Sequence, residues 1–91
     1  MNLQLRIDLL ARLGEYIISD DTSWQQAKEK AGRENPWFIP EFIELSLNYI
    51  AHSFLKKDKL SAWCQSYAVH EQNTNPKIIG IVMAGNIPLV G

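Results

Sequence analysis

Ninety-one residues, 46% hydrophobic and 21% charged, allow one small globular domain and exclude disorder by composition. Nine basic residues against ten acidic ones leave a net charge of −1, which provides no electrostatic footprint for nucleic acid and no polybasic membrane patch. A single cysteine excludes an internal disulfide, and no apolar stretch approaches the roughly 20 residues of a membrane span.

The start, Met1 to Arg6, alternates polar and apolar residues without a secretory apolar core, so a soluble cytoplasmic protein is expected. Leu3, Ile7, Leu10, Leu13 or Gly14, and Ile17 recur at intervals of three and four, which predicts a first helix from about Leu3 to Ser19. Ser19-Asp20-Asp21 ends it. Thr22 or Ser23 can cap the next helix, because each stands three residues before a glutamine. That helix directs Trp24, Ala27 and Ala31 inward, and Gly32 is its expected C-terminal cap.

Asn35-Pro36 breaks the chain, since a residue before proline is pushed away from helical dihedrals. Pro40 suits the first turn of a third helix, with Glu41 beside it. Phe42, Ile43, Leu47, Ile50, Ala51, Phe54 and Leu55 give that helix a wide apolar stripe. Asp58 can cap a fourth helix running to about Tyr67, with Leu60, Trp63, Cys64 and Tyr67 facing inward. Residues 69–77 are a polar connector without periodicity.

Ile78 to Met83 is a continuous, largely β-branched apolar run, the pattern of a strand buried on both faces of a parallel sheet. No second strand is evident, and a lone strand cannot satisfy its own ladder groups. The run is therefore expected to pair outside these residues or to drive self-association. Ala84-Gly85-Asn86 reads as a turn, and Ile87-Pro88 as a helix start. The expected organisation is a mainly α helical region over 1–68, a linker over 69–77, and the first strand and turn of an incomplete α/β domain over 78–91.

The strand-end turn is the main candidate for chemistry, because open α/β sheets place ligands beyond the carboxyl ends of their strands. Gly85 lets the backbone approach a ligand closely, and the Asn86 amide can donate to a developing oxyanion. The plainer alternative is a turn whose asparagine bonds its own backbone. Cys64, in an apolar helical context beside Trp63, reads as a small buried hydrophobe. His52 and His70 have no partner at metal-ligand spacing, so no metal is expected. Glu34, Glu41 and Glu44 read as a solvated face, and Trp37-Phe38 as core or as packing beneath a loop, with an exposed partner-binding pair as the alternative.

The segment Gly80-Ile-Val-Met-Ala-Gly-Asn-Ile-Pro-Leu-Val-Gly91 resembles the start of the nucleotide-binding domain in acyl-CoA reductases of the LuxC type, within the aldehyde dehydrogenase superfamily. Asn35-Pro36-Trp37-Phe38, Pro40-Glu41-Phe42-Ile43 and Leu60-Ser61-Ala62-Trp63 are similar to the helical N-terminal region of the shorter, Bacteroidetes-type members. This resemblance implies attack of a catalytic cysteine on a fatty acyl-CoA thioester, then reduction of the acyl-enzyme to the aldehyde with NADPH or NADH. It places Asn86 at the superfamily's oxyanion-binding asparagine and Pro88 at its closing proline. Ala84-Gly85 stands where the superfamily motif has Pro-Trp, beside the cofactor-bordering backbone of Ala84, Gly85 and Asn86. The family nucleophile lies far downstream of this motif, so Cys64 does not match it, and the 91 residues are expected to be inactive alone. A different reading is a small helical interaction module whose apolar tail docks on a protein partner.

Overall fold

The computed structural model describes residues 1–83, and these form four helices in the order α1 (Leu3–Ile17), α2 (Thr22–Glu34), α3 (Pro40–Ser53) and α4 (Lys57–Ser66). Helix α1 opens where the Asn2 Oδ1 accepts the Leu5 N–H at 2.9 Å, which satisfies one of the free donors of the first turn. Its inward face is Ile7, Gly14 and Ile17, while Leu10 and Leu13 of the expected stripe are exposed. It stops before Ser19, whose hydroxyl and amide both donate to the Tyr16 carbonyl.

Asp21, rather than Thr22 or Ser23, caps α2. Its Oδ2 accepts the Trp24 N–H at 3.0 Å, and its negative charge faces the positive end of the helix. Helix α2 runs past Gly32 to Glu34, so Gly32 is interior to the helix and Asn35 is the cap. The returning loop explains the glycine: a Cβ there would lie 3.1 Å from the Phe38 carbonyl oxygen. Of the residues expected inward, Trp24 and Ala31 are half-buried and Ala27 is exposed.

Pro40 takes the first turn of α3, as its fixed φ and missing N–H allow. Ile43, Leu47, Ile50 and Ala51 are buried, whereas Phe42 and Phe54 point to solvent. Helix α4 starts after Lys56 with no side-chain cap, and Asp58 lies in its first turn instead of at the cap. Leu60 and Cys64 are half-buried, but Trp63 and Tyr67 are exposed and pack on each other with ring centroids 5.0 Å apart.

Helix α1 packs against α3 and α4, and α2 against α3. The core is Ile17, Ile43, Leu47 and Ala51, flanked by Trp24, Phe38 and Leu55. Polar ties fix the seams. The Trp24 indole N–H donates to the Ile17 carbonyl at 2.8 Å, and Lys57 pairs with Asp8 at 2.8 Å between α4 and α1. After α4 the chain turns at Ala68, whose φ of 49° is a left-handed conformation, and the Val69 N–H returns to the Cys64 carbonyl.

Residues 69–77 are irregular, and they are clasped to the start of α1 where the Leu3 N–H donates to the Glu71 carbonyl at 2.8 Å. Ile78 to Met83 does not form the expected strand among the described residues: it carries no ladder hydrogen bonds, and Ile78 and Val82 are fully exposed. The physical reason is that none of the described residues offers a second strand to pair with. The described part of the chain is all-α.

Candidate functional site

Ala84, Gly85 and Asn86, the residues of the strand-end turn, lie outside the described residues. The apolar run leading to them, Ile78 to Met83, is exposed, and a Cβ added at Gly80 would meet nothing within 4 Å.

Within the helical region, an apolar recess with a volume of about 540 Å³ lies between α2 and α3. Gln25, Lys28, Gly32, Arg33, Pro40 and Ile43 contribute to its walls. A narrower cleft of about 160 Å³ adjoins it, lined by Trp24, Ala27, Ala31, Phe38 and Leu47. The charged residue common to both is Lys28, whose side chain is only 10% exposed. Its ammonium pairs with the Glu44 carboxylate and sits 5.8 Å from the Trp24 ring centroid. An ammonium neutralised in this way is a structural tie between helices and is poorly suited to capture an anion.

The side chains tested for catalysis are dispersed. Cys64 is a free, half-buried thiol on α4, and no hydrogen bond joins it to a histidine or carboxylate among the described residues. His52 is engaged through Nδ1 with the Asn48 carbonyl at 2.8 Å, one turn back on its own helix. Glu34 pairs with Lys30, Glu44 with Lys28, and Glu41 is exposed in the first turn of α3. Among the described residues no group of three or more histidine, cysteine or acidic side chains is placed to hold a metal ion. The Trp37-Phe38 pair splits: Phe38 packs on the core and Trp37 is exposed.

Sequence periodicity put Phe42 in the inward stripe of α3 and passed over Leu45 and Tyr49, and the three form a second apolar face. Phe42, Leu45 and Tyr49 stand at intervals of three and four and are 63%, 69% and 63% exposed. The Tyr49 ring meets Phe54 edge-on at 5.7 Å, so the face continues to the end of the helix. The signal was present, because α3 is apolar over more than one stripe. Among the described residues no helix is long and apolar enough to cross a membrane. In comparisons with known proteins, no family model, curated protein or solved structure matches the chain.

Proposed function

We propose that these residues are the helical N-terminal region of an NAD(P)H-dependent, cytoplasmic acyl-CoA reductase, and that they have no activity alone. The observation that carries the reading is the segment Ile78 to Met83, apolar and exposed, leading directly into Ala84-Gly85-Asn86-Ile87-Pro88. Six residues of this kind are costly in water, and pairing in a nucleotide-binding sheet would bury their side chains and satisfy their backbone. The outer face of α3 supports the same reading, since Phe42, Leu45 and Tyr49 form a surface that a larger protein would cover.

In the proposed reaction a cysteine elsewhere in the parent attacks the thioester of a fatty acyl-CoA, the CoA thiolate leaves, and an acyl-enzyme remains. A reduced nicotinamide, when bound, would supply the hydride to the acyl carbon, and loss of the cysteine thiolate from that carbon would give the aldehyde. The role assigned to this chain is narrower. The Asn86 amide donates to the thioester oxygen as negative charge gathers there, an interaction that strengthens toward the transition state.

The test uses the complete gene product with Asn86→Ala. Single-turnover acylation should slow by about 100- to 1,000-fold, the usual effect of losing one such donor, with acyl-CoA affinity nearly unchanged. A folded variant with near-normal acylation and reduction would end the reading.

A second reading is a helical interaction module whose partner takes the α3 face and the apolar tail. The exposure of Phe42, Leu45 and Tyr49 on one stripe favours it, because helix-in-groove recognition uses apolar anchors at this spacing. A gene product without acyl-CoA-dependent oxidation of NADH or NADPH would favour this module over the enzyme.

A further inference from the structure

We propose that the recess between the start of α1 and the linker after α4 binds a phosphate group. It has a volume of about 600 Å³, within the size range of small-molecule sites, and its lining includes Arg6, Tyr67, His70, Gln72, Asn73 and Thr74. None of its lining residues is acidic.

Arg6 carries the assignment. Two basic side chains are withdrawn from solvent among the described residues, Arg6 and Lys28. Lys28 is neutralised by Glu44, but Arg6 has no carboxylate partner among the described residues. Its Nη2 donates to the His70 carbonyl over a long 3.4 Å, and its Nε is buried without an acceptor among the described residues. A guanidinium has five donors, and leaving one of them buried and unpaired is unfavourable. An oxyanion in the recess would offset that cost through charge-assisted hydrogen bonds from the Arg6 fork. Gln72, Asn73 and Thr74 add neutral donors on a second wall, which suits the several oxygens of a phosphate better than the two of a carboxylate.

The backbone holds this arrangement in place. The Leu3 N–H bond to the Glu71 carbonyl fixes the linker against α1, and the left-handed turn at Ala68 directs it there. Both walls of the recess are therefore brought together in the folded chain, although they come from opposite ends of the sequence.

The experiment is an amide-resolved NMR titration of the whole chain at constant ionic strength, with inorganic phosphate, ADP and acetate as separate probes. Phosphate should give saturable shifts centred on Arg6 and residues 68–74. Tighter binding of ADP would identify a phosphate ester as the source, and equal or weaker binding would identify free phosphate. Arg6→Met should weaken binding by about 10- to 100-fold, the effect of losing a charged hydrogen-bonding group, and Arg6→Lys should weaken it less. Should Arg6→Met fail to fold, Asn73→Ala and Thr74→Ala, both on the linker, should each weaken binding in a folded chain. Non-saturating shifts, an equal response to acetate, or unchanged affinity in the folded variants would overturn the proposal.

Discussion

Replacing Gly14 by alanine sets two known effects against each other, and the geometry decides the sign. An added Cβ would lie 2.8 Å from the Leu55 Cβ and 3.0 Å from the Leu55 carbonyl oxygen. Carbon atoms pack best at about 3.5–4.0 Å, so the gap must widen by roughly 1 Å. The Leu55 Cβ is fixed to its backbone and cannot swing aside as a side-chain tip would. Helix α1 must therefore lift from the α3–α4 corner, or the corner must yield, and overpacking of this kind costs about 1–3 kcal/mol. Alanine returns about 0.8–1.0 kcal/mol because Gly14 is interior to α1. The net expectation is a loss of about 1 kcal/mol, or roughly 4–8 °C in Tm for a domain of this size. Urea unfolding followed by far-UV circular dichroism measures it, and Gly14→Leu should lose more. Equal or greater stability for Gly14→Ala would show that α1 does not lie close against Leu55, and would refute the argument.

Ala68→Gly should stabilise the chain by about 0.5–1 kcal/mol, because a left-handed alanine is strained and glycine's added unfolded-state entropy cancels only part of the gain; an unchanged or lower midpoint in urea would count against it. The Lys57 ammonium, and secondarily the Gln4 amide, hold the Asp8 carboxyl below its usual range. A depressed carboxyl contributes stability that is present above its unfolded pKa and is lost as pH falls through the folded value. Asp8→Asn should therefore flatten the stability profile below about pH 4, and superimposable acid limbs would contradict this. Tyr16 runs the other way: its hydrogen bond to Asp21 raises the phenol, so its contribution is present below about pH 10 and is lost as pH climbs through the folded value. Tyr16→Phe should remove that alkaline loss, and an unaltered alkaline limb would argue against the bond.

The helices were legible because their signals are local. Pro40 marks a helix start through its own covalent geometry, and Asn35-Pro36 marks a break for the same reason. Which apolar residues face inward was less legible. Intervals of three and four fit Leu10 and Leu13 as well as Ile7 and Ile17, and only docking against α3 and α4 selects among them. Gly14 belongs to that contact because it lacks a side chain, a property that hydrophobic periodicity does not register. At α2, the serine and threonine rule lost to the charge of Asp21 one residue earlier. The recess at Arg6 was not legible, because its two walls come from opposite ends of the chain. Ile78 to Met83 was recognised as apolar and unpaired, but a strand is a property of two chain segments, and the described residues supply one.

The clasp between the start of α1 and the linker also bears on the order of assembly. Arg6 and His70 meet across 64 residues, whereas Lys28 and Glu44 meet across 16. Each doubling of a closed loop costs about 0.6 kcal/mol in chain entropy, so closing the clasp in an unstructured chain costs about 1.2 kcal/mol more than joining α2 to α3. Nothing apolar of consequence is buried there to repay it early, since Leu3 and Arg6 are only half-buried and residues 70–77 are exposed. The α2–α3 hairpin should therefore form first, α1 should dock onto α3 and α4 onto α1 next, and the linker should fasten last. In the folded chain the same inequality works in reverse. The clasp is the least expensive seam to open, so the Leu3 amide should exchange with solvent through local opening while the amides of Leu47 and Ile50 wait for global unfolding.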